Sequence, residues 1–152
     1  LEGAPAPKDV PQALEKEVVE KWEKIDAQVG WCEITSGGLL LFHPGVQDVK
    51  KGWVAGFRIE VWKPNLFRGL PLPKTPFGIT FYDAKIKDET LEELSRFDQL
   101  VALDLYKAQI SLDGAKHIGK LQNLTYLSLH STHIGDNELS ELDRLNMLVH
   151  LN

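Results

Sequence analysis

Cysteine is almost missing from this 152-residue chain: Cys32 stands alone. No intrachain disulfide can therefore staple the fold, and a single thiol of this kind is expected as a small buried residue on a strand. A basic surplus is missing as well. The net charge is −5, and the adjacent basic pair Lys50–Lys51 reads as a solvated turn, so the charge pattern argues against a nucleic-acid partner. No apolar run approaches the ~18 residues that a membrane-spanning helix needs. The pair Gly37–Gly38 lacks the flanking glycine and lysine of a phosphate loop. No Ser/His/Asp or Cys/His pairing follows from the spacing of the five histidines. Catalytic residues, metal ligands and cofactors are accordingly expected to be none. The length suffices for one domain with a real core.

A repeat is what the chain does have. Ile86, Ile110 and Ile134 recur at a constant spacing of 24 residues, and each opens the same pattern. Leu91, Ala115 and Leu139 hold one shared place. Leu94, Ile118 and Leu142 hold the next, followed by Phe97, Leu121 and Leu145. Leu100, Leu124 and Leu148 align further on, as do Leu103, Leu127 and Leu151, and Leu105 with Leu129. A fixed period in this range signals stacked units, each burying its apolar side against the next. Alternation in Leu103-Asp-Leu105 and Leu127-Ser-Leu129 predicts short strands with the leucines inward. The second half of each copy predicts a helix or 3₁₀ turn. Asp88 and Asp136 are candidate caps, and Ser111 or Asp113 takes that role in the middle copy, where Leu112 replaces the aspartate. Gly78–Ala84 matches the strand phase of an earlier, degenerate copy, whose strand is expected over residues 78–85, behind an irregular Pro-rich stretch from Leu66 to Pro76.

The segments Leu100-Val-Ala-Leu103-Asp-Leu105-Tyr-Lys-Ala108 and Leu124-Thr-Tyr-Leu127-Ser-Leu129-His-Ser-Thr132 carry the spacing of a leucine-rich repeat. With Ile86-Lys87-Asp88 before Leu91 and Ile134-Gly135-Asp136 before Leu139, residues 78–152 resemble bacterial leucine-rich-repeat proteins of the 24-residue type abundant in planctomycetes. That type usually has Thr where Lys87 and Gly135 stand. The resemblance implies an α/β fold: a short right-handed horseshoe segment of a solenoid, with a concave parallel sheet that binds proteins or peptides. It brings no catalytic residue with it. It also implies export to the periplasm or the extracellular space, which suits a chain that begins Leu1-Glu-Gly-Ala-Pro without a methionine.

The phase selects the outward residues. One row is Gly78, Ala102, Tyr126 and His150; the next is Thr80, Asp104, Ser128 and Asn152; the third is Tyr82, Tyr106 and His130. Adjacent strands lie about 4.8 Å apart, so each row is a ladder of touching side chains. Tyr82, Asp104, Tyr106, Tyr126, Ser128, His130 and His150 are therefore the candidate partner-binding residues, the aromatic ones each offering a flat apolar body and a polar tip. His130 and His150 differ by four positions in phase, roughly 13 Å along the strand, too far to share a metal.

The first half does not repeat. Residues 1–9 read as a flexible lead-in, and residues 10–77 as a helix-plus-strands cap over the open end of the repeats. Asp9 and Gln12 suit a helix start. Leu14, Val18, Trp22, Ile25 and Val29 form one helical apolar stripe, and Gly30 is a helix stop. Trp31–Ile34 and Leu39–Phe42 should form a hairpin around residues 35–38, His43-Pro-Gly45 a turn, and Trp53–Trp62 a strand with Arg58 and Glu60 opposite Phe57, Ile59 and Val61. The alternative is that this half is a small ligand-binding or catalytic domain, with Trp31, Trp53 and Trp62 lining a pocket. At the other end the leucine ladder is left open in mid-strand. Further repeats, or a second copy in an end-to-end homodimer, would cover it.

Overall fold

The computed structural model describes residues 11–82 and 86–152. The expected lead-in, the Asp9 cap and the end of the 78–85 strand fall outside these residues. Four helices and seven strands form among them. The chain opens with α1 (Lys16–Glu23), then β1 (Gln28–Ile34), β2 (Leu40–Pro44) and β3 (Val54–Ile59). It continues with β4 (Phe77–Phe81), α2 (Asp88–Leu94), β5 (Leu100–Asp104), α3 (Leu112–Ile118), β6 (Tyr126–Ser128), α4 (Asp136–Leu142) and β7 (His150–Leu151). All seven strands belong to one sheet in the order β2-β1-β3-β4-β5-β6-β7, curled into a half-barrel. β1 is antiparallel to both β2 and β3, and every pair from β3 to β7 is parallel. The class is mixed α/β.

The register follows the 24-residue spacing where it exists. Ala102 lies opposite Tyr126 and Tyr126 opposite His150; Leu103 lies opposite Leu127 and Leu127 opposite Leu151. The odd-numbered side chains Phe57, Ile59, Ile79, Phe81, Leu103, Leu105, Leu127 and Leu129 point to the helix side, where they are buried with Leu91, Leu94, Ala115, Ile118 and Leu142. Burying one such side chain contributes about 1.5–3 kcal/mol, so the ladder outweighs the poor intrinsic stability of seven-residue helices. Leu139 and Leu151 hold ladder places in the last copy yet stay exposed.

The caps differ from expectation in an informative way. Ser111 caps α3, its hydroxyl accepting from the Asp113 N–H at 3.2 Å. Asp88 does not cap its own helix; it occupies the first helical position, and its carboxylate instead accepts from the backbone N–H and hydroxyl of Ser111. Asp136 likewise is no cap. Gly135 takes that place, and its N–H donates to the Glu138 carboxylate at 3.0 Å.

The first half joins the same sheet through β3. The expected helix over the Leu14–Val29 stripe stops at Glu23, because Asp26 turns the chain with φ 64° and β1 begins at Gln28. Ile25 and Val29 still reach the common core from the turn and the strand. Gly30 is no helix stop. It sits inside β1, where a Cβ would come within 2.5 Å of the His43 carbonyl oxygen, so its small size serves strand packing. The 31–34 and 39–42 hairpin forms as read, but His43 and Pro44 extend β2 rather than making the turn. A proline is tolerated there because β2 is an edge strand. Val61 lies past the end of β3 and is exposed. The Trp22 indole stacks on Phe57 at 4.0 Å and is bordered by Phe67, Phe77 and Phe97. Its Nε1 donates to the Pro71 carbonyl at 3.2 Å, tying α1 to the Pro-rich stretch.

Candidate functional site

The even-numbered side chains of the parallel strands point to the inner side of the curl, where two rows matter. The first runs Gly30, Gly56, Gly78, Ala102, Tyr126, His150 across six strands in hydrogen-bonded register. Its small members let the β1–β2 hairpin fold close. A Cβ at Gly56 would meet Cys32 Sγ at 2.5 Å, and one at Gly78 would meet it at 2.7 Å. Cys32 is thus buried, as read from its solitude, and desolvation pushes its thiol up to about 12, which removes nucleophilic character at neutral pH. The hairpin then reaches Tyr126, whose hydroxyl oxygen accepts from the Leu40 N–H at 3.2 Å.

The second row is Gln28, Arg58, Thr80, Asp104, Ser128, again in register across five strands. Its middle is left open by the hairpin as a cleft of about 240 Å³, lined by Leu40, Phe42, Arg58, Thr80, Asp104 and the two tyrosines Tyr82 and Tyr106. Six buried side-chain polar atoms among the described residues have no hydrogen-bond partner. Three of them are in this cleft: Arg58 Nε, Thr80 Oγ1 and Asp104 Oδ1. Buried polar groups are nearly always paired, and an unpaired one costs about 1–3 kcal/mol. Three in one row concentrate unmatched hydrogen-bonding capacity in this cleft. The Arg58 guanidinium lies 4.7 Å from the Phe42 ring and 5.7 Å from the Tyr82 ring, within cation–π reach of both. Burial raises the Asp104 carboxyl above its ordinary value, opposed by the neighbouring Ser128 hydroxyl and Tyr106 N–H and by His130 and Arg58 nearby. Burial and the Asp104 charge raise the Tyr126 hydroxyl too.

The seven residues read as partner-binding separate into three groups. Tyr82 is 62% exposed, and Tyr106 stacks on the exposed His130 with centroids 5.7 Å apart and planes 8° apart, so this ladder stands on the rim. Asp104 is half-buried in the cleft, and His150 tilts against Tyr126 at 6.3 Å. Tyr126 and Ser128 are only 1% and 4% exposed. Their expected exposure is corrected: the curl and the hairpin cover that part of the inner face. Phe42 and Arg58 lie outside those seven; alternation sets Arg58 opposite Phe57 and Ile59 without marking it as a contact residue. It stands 22 residues before Thr80, not 24, so the period could not align it with the row. The three tryptophans read as a pocket lining do not line the cleft. Trp53 stacks on His43 at 4.3 Å, and Trp62 Nε1 donates to Thr90 Oγ1 at 2.6 Å. Among the described residues no group of three or more His, Cys, Asp or Glu side chains could hold a metal, and no helix is long and apolar enough to cross a membrane.

The fold and the cleft together describe a mixed α/β protein with a curled sheet and a preformed polar notch on its inner face. No protein-family model matches the chain, and neither a curated protein nor a solved structure matches it.

Proposed function

We propose that the protein is a non-catalytic recognition module, a short horseshoe segment of the leucine-rich-repeat kind whose inner sheet face takes a protein or peptide partner. The observation that carries this reading is the rim of exposed Tyr82 and His130 with half-buried Tyr106 between them, beside three unpartnered polar atoms in the cleft. Rigid aromatic side chains next to a desolvated polar centre are the usual makings of a binding hot spot. The parallel register of residues 24 apart and the helices on the opposite side of the sheet favour the leucine-rich-repeat assignment. Asp104 and His150 belong to the same contact face; Tyr126 and Ser128 act beneath it as support.

A linear-peptide display library panned on the full chain tests the reading. A selected peptide should lose affinity about tenfold or more for the Tyr82→Ala/Tyr106→Ala variant, as expected when aromatic anchors are removed. Unchanged affinity for that variant would move the binding surface elsewhere and end the inner-face assignment.

A further inference from the structure

We infer that the cleft over Arg58, Thr80 and Asp104 is a pocket for a primary carboxamide, the side chain of an asparagine or glutamine presented by the partner. The inference rests on the inner-face reading and names the chemistry that the cleft selects. Arg58 Nε is a donor without an acceptor, Asp104 Oδ1 an acceptor without a donor, and Thr80 Oγ1, whose residue is only 5% exposed, can serve as either. The three residues are neighbours in register on β3, β4 and β5, with threonine in the middle. The ligand group must therefore accept at one end and donate at the other.

Few groups do this from one edge. A carboxylate satisfies Arg58 but sets a negative charge against Asp104. An ammonium or guanidinium does the reverse. A trans peptide unit carries its C=O and N–H on opposite sides and cannot turn both toward one row. A primary carboxamide carries its carbonyl oxygen and one N–H on the same edge, facing Arg58 and the central threonine hydroxyl, is neutral, and directs its second N–H outward to Asp104. The charges already present, one of each sign, suit a neutral dipolar group. The planar walls of Phe42, Tyr82 and Tyr106 suit a flat one. The volume of about 240 Å³ admits a short side chain and excludes a folded partner, so only the tip of the ligand enters.

The test uses the ¹⁵N-labelled full chain and three probes differing at one group. N-acetyl-glutamine N-methylamide is titrated beside its glutamate and norvaline counterparts. The inference expects saturable amide shifts at Thr80, Asp104 and Tyr106 with the glutamine probe, and affinity at least about tenfold lower for the other two, the effect of leaving a buried polar pair unmet. Thr80→Val, which keeps the shape, and Arg58→Met, which keeps the stem, should each weaken the glutamine probe while leaving the spectrum dispersed. A glutamate probe that binds as well or better would overturn the carboxamide assignment in favour of an anion site. So would shifts that persist in both variants, or no saturable shift at all. Displayed peptides that need Tyr82 and Tyr106 yet carry no Asn or Gln would overturn this inference alone. Peptides indifferent to those tyrosines would overturn the broader reading and leave the probe titration to decide the pocket.

Discussion

Asp104 shows how one residue can be legible in kind and not in state. Its outward position follows from alternation with Leu103 and Leu105. Its half-burial, and the raised carboxyl that results, come from the hairpin lying over the inner face. The consequence for stability has the opposite sign to a salt-bridged aspartate. The folded state holds the Asp104 proton more tightly than the unfolded state does, so this group's contribution falls as pH rises between the ordinary aspartate value and the raised one, then levels off. Asp104→Asn removes that loss. The melting temperature of the variant minus that of the wild type should grow as pH rises through this window and stay constant above it. A difference independent of pH would show that Asp104 is ionised as easily folded as unfolded.

Among elements, the β1–β2 hairpin decides most about the inner face. It can close down only because Gly56 and Gly78 leave room for Cys32. Gly78→Ala would place a Cβ 2.7 Å from Cys32 Sγ, and overpacking of this sort costs about 1–3 kcal/mol. The same substitution made together with Cys32→Ala should cost less than the two single changes combined, by about 1 kcal/mol, because the clashing atom is gone. Denaturant titration of the four proteins measures this coupling; strict additivity would mean that the hairpin does not press on the sheet at Gly78. The helices tell a complementary story. Their positions at 88, 112 and 136 are readable from the period, whereas the partner of Asp88 is not. A carboxylate at a helix start reads as a local cap, yet here it holds Ser111 of the following unit. Spacing along the chain carries no information about which of two nearby backbone N–H groups a short side chain will reach.

For the whole molecule, the single core is the defining property. Trp22 and Phe57 from the first half and Leu127 from the second share one continuous apolar cluster. Leu127 is fully buried between Leu103 and Leu151 in the ladder, and Leu127→Ala should destabilise the protein by about 2–5 kcal/mol. Equilibrium unfolding in guanidinium checks this, and a loss below about 0.5 kcal/mol would contradict the phase of the ladder. Because the sheet runs unbroken from β2 to β7, both halves of the chain line one cleft: Phe42 and Arg58 come from β2 and β3, Thr80 and Asp104 from β4 and β5.

The sequence by itself determined the short strands of the second half, the helix positions, most of the leucine ladder and the outward direction of the row Tyr82, Tyr106 and His130. These depend on periodicity, and a period of 24 transfers directly into register between neighbouring strands. It also determined the burial of Cys32, since a solitary small thiol favours a packed strand. Only the tertiary structure decided that the Leu14–Val29 stripe splits into helix, turn and strand, that Tyr126 and Ser128 are covered, and that Arg58 completes a polar row with Thr80 and Asp104. Each of those depends on how far the sheet curls and where the hairpin comes to rest. That is set by close approach at glycines far apart in sequence, a contact that no local pattern encodes.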